Sequence, residues 1–263
     1  MRNPKIEKMP EKEKTKKTNW KTTDNRFVAF FDILGFKDQV MRKSHNEIYE
    51  QLSKISKTRN FIANATNHEK IYEKYNDAEI YIVNFSDSIV VFSKNDNIGN
   101  FKYFLVAIRW LFARTIEDNI PIKGGFAYGE VSLNKSEQIY FGQPIIDAYL
   151  IEEDVNYFGL VAHNSIDNYI TTNKVELSEE FFKHMFFEAQ TPLKCGKIIH
   201  QNVNWFTKVP SRQKDFSEFQ SEIYILEILN RFKQTMSGSP RRYLDNTLEV
   251  LDKINIIEYL KNE

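Results

Sequence analysis

Residues 27 to 33 read Phe-Val-Ala-Phe-Phe-Asp-Ile, a nearly unbroken apolar and aromatic run of strand length with one carboxylate near its end. Such a run belongs to a central strand covered on both faces, because a strand with one wet face would alternate polar and apolar side chains. The fold must therefore place a layer on each side of it. It must also compensate Asp32, since an ionised carboxylate withdrawn from water is unstable without a partner.

The following segments supply the layers. After Gly35 the spacing turns helical, with Ile48, Leu52 and Ile55 on one face of a polar stretch that reaches about Ala63. Strands are expected at 79–85 and 89–93, joined by a Ser86-Asp87 turn, and then an amphipathic helix at 100–117 turns Phe104, Ile108, Leu111 and Phe112 inward. A strand at 122–131 follows, interrupted by Gly124, Gly125 and Gly129. The order predicts an α+β fold of the ferredoxin-like βαββαβ type. Its two right-handed crossovers interleave, which puts the third strand antiparallel beside the first and the Ser86-Asp87 turn beside the end of the first strand.

Beyond this core the patterns predict helices at 144–153, 176–187, 218–233 and 242–256, with strands at 158–162 and 197–205. Ser237, Gly238, Ser239 and Pro240 separate the last two helices. Residues 1–22 hold eight basic residues against three acidic ones and almost nothing apolar, the composition of a disordered basic tail.

A formal net charge of zero argues against bulk nucleic-acid binding. Cys195 stands alone, so no intramolecular disulfide can form; it reads as a partly buried thiol in a reducing compartment. With no apolar stretch near the ~18 residues of a membrane helix and no signal-peptide core, the chain is expected to be cytoplasmic, with no membrane partner.

Two carboxylates gathered by one sheet repel each other, and a divalent cation shared with substrate phosphates is the usual compensation. Asp32 and Asp87 fit that pattern. A plainer reading also fits the residues, in which Asp32 caps the next helix and Asp87 makes a turn.

Phe31-Asp32-Ile33-Leu34-Gly35-Phe36 resembles the F-x-D-I-x-G-F segment of class III nucleotidyl cyclases, and Phe85-Ser86-Asp87-Ser88-Ile89 resembles their G-D turn with serine in the glycine position. The segment from Ile122 to Glu130 is similar to their R-x-G-I-x-x-G strand. The run from Tyr140 to Tyr149 matches their G-x-x-x-N-x-A region in position, though only partly in residue type. Within the class the wording most resembles the Pycsar pyrimidine cyclases, bacterial enzymes that make cyclic UMP or cyclic CMP as an antiphage signal. The F-G-x-P-I-x-x-A-Y-x-x-E run ending at Glu152 and the Arg242-Tyr243-Leu244-Asp245-Asn246-Thr247 segment extend that likeness.

The resemblance implies a cyclase catalytic domain over 23–175 with 176–263 as a C-terminal extension packed on it. It implies Asp32 and Asp87 as catalytic carboxylates that hold two Mn2+ or Mg2+ ions with the Ile33 carbonyl, and nucleotide contacts at Phe36, Tyr81, Val83 and Lys123. UTP or CTP would be the substrate, and a head-to-tail homodimer would form two composite sites.

Tyr81 is expected to share a strand face with Val83 and Asp87, where an aromatic would narrow the base pocket for a pyrimidine. Ile146 and Leu150 replace the asparagine and arginine that adenylyl and guanylyl cyclases carry, and Val83 and Ile139 replace their purine-selecting pair. The cation that stabilises the transition state is thus unassigned among Lys37, Arg109 and Lys123. Other readings of the same topology are a palm-type enzyme condensing two nucleotides, a nucleotide sensor without turnover, and an RNA-binding module; the last predicts exposed aromatics on the central strands.

Overall fold

A computed structural model describes residues 20–64, 75, 78–174, 177–213 and 215–261. The basic run expected to be a tail lies outside the described residues up to position 19. The first strand begins at Thr23, earlier than the apolar run alone suggests.

The core runs β1 (Thr23–Ile33), α1 (Phe36–Arg42), α2 (His45–Asn64), β2 (Ile80–Phe85), β3 (Ser88–Ser93), α3 (Ile98–Glu117) and β4 (Ile122–Asn134). These strands lie in the order β2-β3-β1-β4, with β1 antiparallel to both neighbours. The expected βαββαβ arrangement is therefore the one observed. A short β5 (Ile139–Phe141) folds back on β4, α4 (Gln143–Asp154) crosses the sheet, and β6 (Leu160–Ala162) runs parallel to β4. After α5 (Asn164–Thr172) and α6 (Glu179–Met185), the hairpin of β7 (Phe186–Leu193) and β8 (Gly196–Val203) extends the same sheet past β6. A 3-10 turn (Phe206–Arg212) and helices α7 (Glu218–Thr235), α8 (Ser239–Ile254) and α9 (Ile256–Leu260) complete the chain.

Alternation along β1 sorts its side chains to two faces. Phe27, Ala29, Phe31 and Ile33 enter the main apolar core under α2 and α3, beside Ile55, Ile62, Phe101, Phe104 and Phe112. Val28 belongs to a smaller cluster on the other face with Phe92, Ala127 and Ala148 of α4, and Phe30 packs against it. Asp32 falls on this second face by the same period.

Several elements depart from the sequence reading. The helix expected at 176–187 stops at Met185, and Phe186 starts a strand instead, because Phe186 and Phe187 pair with Val203 and Asn202 and both bury their rings. The first helix is two, divided at Ser44, whose hydroxyl and amide both bond the Glu47 carboxylate 2.7 and 2.8 Å away. The last helix starts at Ser239, three residues early, with Pro240 in its first turn, where a missing N–H costs nothing. Cys195 is exposed rather than partly buried, since it sits in the two-residue turn of the β7–β8 hairpin.

Two of the glycines in β4 set the thickness of the sandwich. A Cβ on Gly124 would lie 2.8 Å from Phe31 Cδ1 on one face, and a Cβ on Gly125 would lie 2.5 Å from the Ala148 carbonyl and 2.7 Å from the Glu152 amide on the other. The α4 backbone therefore rests directly on β4. Gly125→Ala is expected to lose about 1–3 kcal/mol, the usual cost of overpacking, because the obstructing atoms are helix backbone and cannot turn aside. Urea unfolding of the two proteins checks this, with an unchanged midpoint as the contrary result.

Candidate functional site

The antiparallel pairing that places β3 beside β1 also brings the two carboxylates together. Asp32 is registered opposite Ser88, and the Ile33 amide donates to the Asp87 carbonyl at 3.2 Å, locking the turn against the strand end. The next amide, Leu34, donates to Pro121 at 2.9 Å, which fixes the exit from β1 on its other side. Both aspartates are half-buried at one end of the sheet.

Ser86 holds the turn in a left-handed conformation, φ 55°. A side chain there costs roughly 1 kcal/mol relative to glycine. The family that the sequence resembles has glycine at this position, and the backbone gives the reason. Ser86→Gly is expected to raise the melting temperature by a few degrees, about 1 kcal/mol of relief offset in part by a more flexible unfolded chain; differential scanning calorimetry would read it, and a lower melting point would contradict the assignment of strain.

Opposite Asp32 on β4 stands Lys123. Its ammonium meets the Glu152 carboxylate at 3.0 Å and donates to the Glu152 and Glu153 carbonyls at 2.6 and 3.1 Å. The two side chains are 6% and 5% exposed, so the pair is fully inside the protein and either charge alone would be strongly destabilising. Tyr243 of α8 closes this cluster, its ring centroid 5.9 Å from the Lys123 ammonium. Burial raises the Tyr243 hydroxyl, and the Glu152 and Asp32 charges add to that.

Asp32 feels the whole group. Its carboxyl is pushed up to about 7, first by burial, then by the negative charges of Glu152 and Asp87, with Lys123 opposing. The site is thus short of positive charge. Two carboxylates with an adjacent backbone carbonyl form the sparse, hard-oxygen donor set that Mg2+ or Mn2+ accepts when water and phosphate complete the shell. Among the described residues no group of three or more His, Cys, Asp or Glu side chains is gathered as a complete cage.

The remaining sequence candidates divide. Tyr81 and Val83 lie on the Asp32 face of the sheet, but Tyr81 is registered with Phe92 and thence Val28, four residues along β1 from Asp32 and two strands away. Within one chain they do not meet the carboxylates. The Tyr81 hydroxyl is 2.9 Å from that of Tyr140, with Trp20 edge-on and the Lys135 ammonium 4.6 Å from the Tyr81 ring. Phe36 packs in the main core. Lys123 adjoins Asp32 but is committed to Glu152. Arg109 is buried under the 3-10 turn, bonded to the Asn204 carbonyl and the Thr207 hydroxyl, and Lys37 is exposed on α1.

Glu152 and Tyr243 were quoted in sequence motifs without a role. The signal for Glu152 was its place on the buried stripe of α4, one turn beyond Ala148 and two beyond Pro144. A cavity of about 570 Å3 lined by Asp96, Tyr128 and Tyr169 lies elsewhere and contains neither aspartate.

No family model and no curated protein matches this sequence. Among solved structures, the chain is similar to the monomeric guanylyl cyclase domain of the RhoGC fusion protein from the aquatic fungus Blastocladiella emersonii, at 14% identity over 69% of this chain and 95% of that one, with a TM-score of 0.44. It is similar to the adenylyl cyclase CyaB from P. aeruginosa at 16% identity over 69% and 95%, TM-score 0.43. A bacterial light-regulated adenylyl cyclase is matched at 12% identity over 78% and 98%, TM-score 0.44.

The raised Asp32 carboxyl gives a pH test. Its folded value lies above the ordinary carboxylate value of 3.8, so the folded state binds the extra proton between about pH 4 and 7, and stability falls as pH rises through that window. In chelator, Asp32→Asn is expected to be more stable than the parent at pH 8 and to lose that advantage by pH 4. Added Mn2+ should raise the parent's melting point and leave Asp32→Asn unmoved; an advantage independent of pH would contradict the burial argument.

Proposed function

We propose that this protein is a metal-dependent nucleotidyl cyclase that converts a pyrimidine nucleoside triphosphate, UTP or CTP, to its 3′,5′-cyclic monophosphate and pyrophosphate. The observation that carries the reading is the convergence of Asp32 and Asp87, far apart in sequence, at one end of neighbouring antiparallel strands. In the reaction the ribose 3′-oxygen bonds to the α-phosphorus as the bond to pyrophosphate breaks, and the hydroxyl proton passes to solvent. Asp32, Asp87 and the Ile33 carbonyl would hold Mn2+ or Mg2+, which when bound acidifies the hydroxyl and neutralises phosphate charge. The chain's own part is to hold those carboxylates rigidly: β1 pairs along its full length with β4, and the Asp87 turn is tied to Ile33. The Lys123–Glu152 pair packs beside Asp32, and the Glu152 charge adds to the demand for a cation there.

Pyrimidine preference rests on the sequence likeness and on the apolar groups at the positions that select purines, Val83 and Ile139. Two composite sites in a homodimer would unite Tyr81 and Val83 of one copy with Asp32 and Asp87 of the other, which is how residues this far apart within one chain could serve one nucleotide. An apolar surface on the same face supports pairing: Ile146 and Leu150 of α4 are 52% and 53% exposed, and Phe85 beside the Asp87 turn is 83% exposed. A cyclic pyrimidine nucleotide would act as the antiphage signal that the Pycsar likeness implies. The RNA-binding alternative, which needs exposed aromatics on the central strands, is weakened because on that face Phe92 is buried and Phe30 packs on Tyr149 of α4, ring centroids 5.3 Å apart.

Incubation with each of ATP, GTP, CTP and UTP in Mn2+, with products identified by mass, tests the reading. Cyclic UMP or cyclic CMP is expected, reduced at least ~100-fold in Asp32→Ala, as befits loss of a metal-holding carboxylate. Linear dinucleotide products, or no product from any triphosphate, would overturn it.

A further inference from the structure

The cyclase reading leaves open which cation of this chain meets the phosphate tail. Lys123 cannot, because its ammonium is spent on Glu152 and two carbonyls inside the protein. Arg109 is held beneath the 3-10 turn. Two other cations, Lys194 of the β7–β8 turn and Arg242 of α8, stand on the far side of Tyr243.

Beside the Lys123–Glu152 pair, on the side closed by Tyr243, lies a cleft of about 220 Å3 lined by Asn156, Lys194, Ser239, Arg242 and Tyr243. Three separate pieces of chain build it: the residue just past α4, the β7–β8 turn, and the first turns of α8. Tyr243 joins the cleft to the carboxylate cluster, because its ring centroid stands 5.9 Å from the Lys123 ammonium, which pairs with Glu152 at 3.0 Å and belongs to the residue registered opposite Asp32.

The placement of α8 is specific. The Asn246 side-chain amide donates to the Asn156 carbonyl at 2.6 Å, the Phe158 amide donates to the Thr247 hydroxyl at 2.8 Å, and Leu244 is fully buried. Leu244, Asn246 and Thr247 anchor the helix, and this fixes Arg242 and Tyr243 at the cleft. The two adjacent arginines are used differently. Arg241 is paired with Asp245 at 2.9 Å one turn on, whereas Arg242 makes no ion pair or hydrogen bond with any described residue. Among the described residues the Lys194 ammonium makes a single loose ion pair, 3.7 Å to Glu153.

A guanidinium fork without a carboxylate, an ammonium, and the side-chain amide and hydroxyl of Asn156 and Ser239 lining one cleft are the chemistry that recognises a phosphate chain. We propose that this cleft binds the pyrophosphate portion of the nucleotide, with Arg242 as the principal contact and Lys194 as the second. The assignment rests on the cyclase reading for the identity of the ligand. It makes the C-terminal extension part of the active site.

Calorimetric titration of the full chain with inorganic pyrophosphate, in chelator so that no metal contributes, tests it without turnover. The parent is expected to bind. Arg242→Ala should weaken binding at least ~10-fold, Lys194→Ala by a smaller factor, and Arg242→Lys should restore part of the loss, each group acting as one charge-assisted contact. Arg241→Ala, one position away and already paired, should bind as the parent does. No binding by the parent, or equal loss in Arg241→Ala and Arg242→Ala, would overturn the proposal. Arg242-dependent pyrophosphate binding in a protein that cyclises no triphosphate would leave the cleft standing and remove the cyclase reading instead.

Discussion

The buried Lys123–Glu152 pair is the constraint around which the site is organised. Two charges this deeply withdrawn from water are tolerated only if each satisfies the other and the remaining ammonium protons find acceptors, and the carbonyls of Glu152 and Glu153 supply those acceptors. For this to happen the C-terminal end of α4 must lie directly on β4 at Lys123. Gly125 permits that approach, since a side chain there would strike the helix backbone at Ala148 and Glu152. The ion pair and the glycine are therefore two halves of one contact. Their joint effect is to place a negative charge under Asp32, which sits opposite Lys123 on the neighbouring strand.

Much of this was legible from the sequence. β1, β3 and α3 announce themselves because their apolar content is nearly continuous or clearly periodic, and their order alone sets the β2-β3-β1-β4 arrangement and hence the meeting of Asp32 with the Asp87 turn. What escaped is what tertiary contacts decide. Phe186 to Leu193 carries two aromatics directly after a helical stretch, and nothing local says that the helix ends there; pairing with β8 does. β5, three residues long, exists through its pairing with β4. The division between α1 and α2 did leave a trace in the sequence, a Ser44-x-x-Glu47 capping box, which the helical periodicity on either side obscured.

The site shows the same division. Asp32 was conspicuous because a carboxylate interrupts an apolar strand, and Asp87 followed from topology. Glu152 and Tyr243 carry no such mark in isolation, since an acidic residue near a helix end and a tyrosine in a polar helix are ordinary. Their role depends on α4 and α8 converging on β4 from different parts of the chain. Sequence reasoning therefore reached the two carboxylates that the sheet brings together, placed Tyr81, Val83 and Phe36 with them although the fold keeps these apart, and gave no role to Glu152 and Tyr243, which meet only through helix docking.

That distinction bears on how such a site can change. The sheet residues are fixed by full-length strand pairing, so moving Asp32 relative to Asp87 would mean shifting the β1–β3 register by an even number of residues, which would break every contact across both faces. The helix-borne groups are held differently. Tyr243 and Arg242 reach the cleft through one docking contact centred on Asn246, Thr247 and Leu244, and a small change in that helix could move both without touching the carboxylates. In the proposed cyclase, a rigid pair of carboxylates bordered by an adjustable wall would let the reaction stay constant while the grip on the rest of the ligand varied.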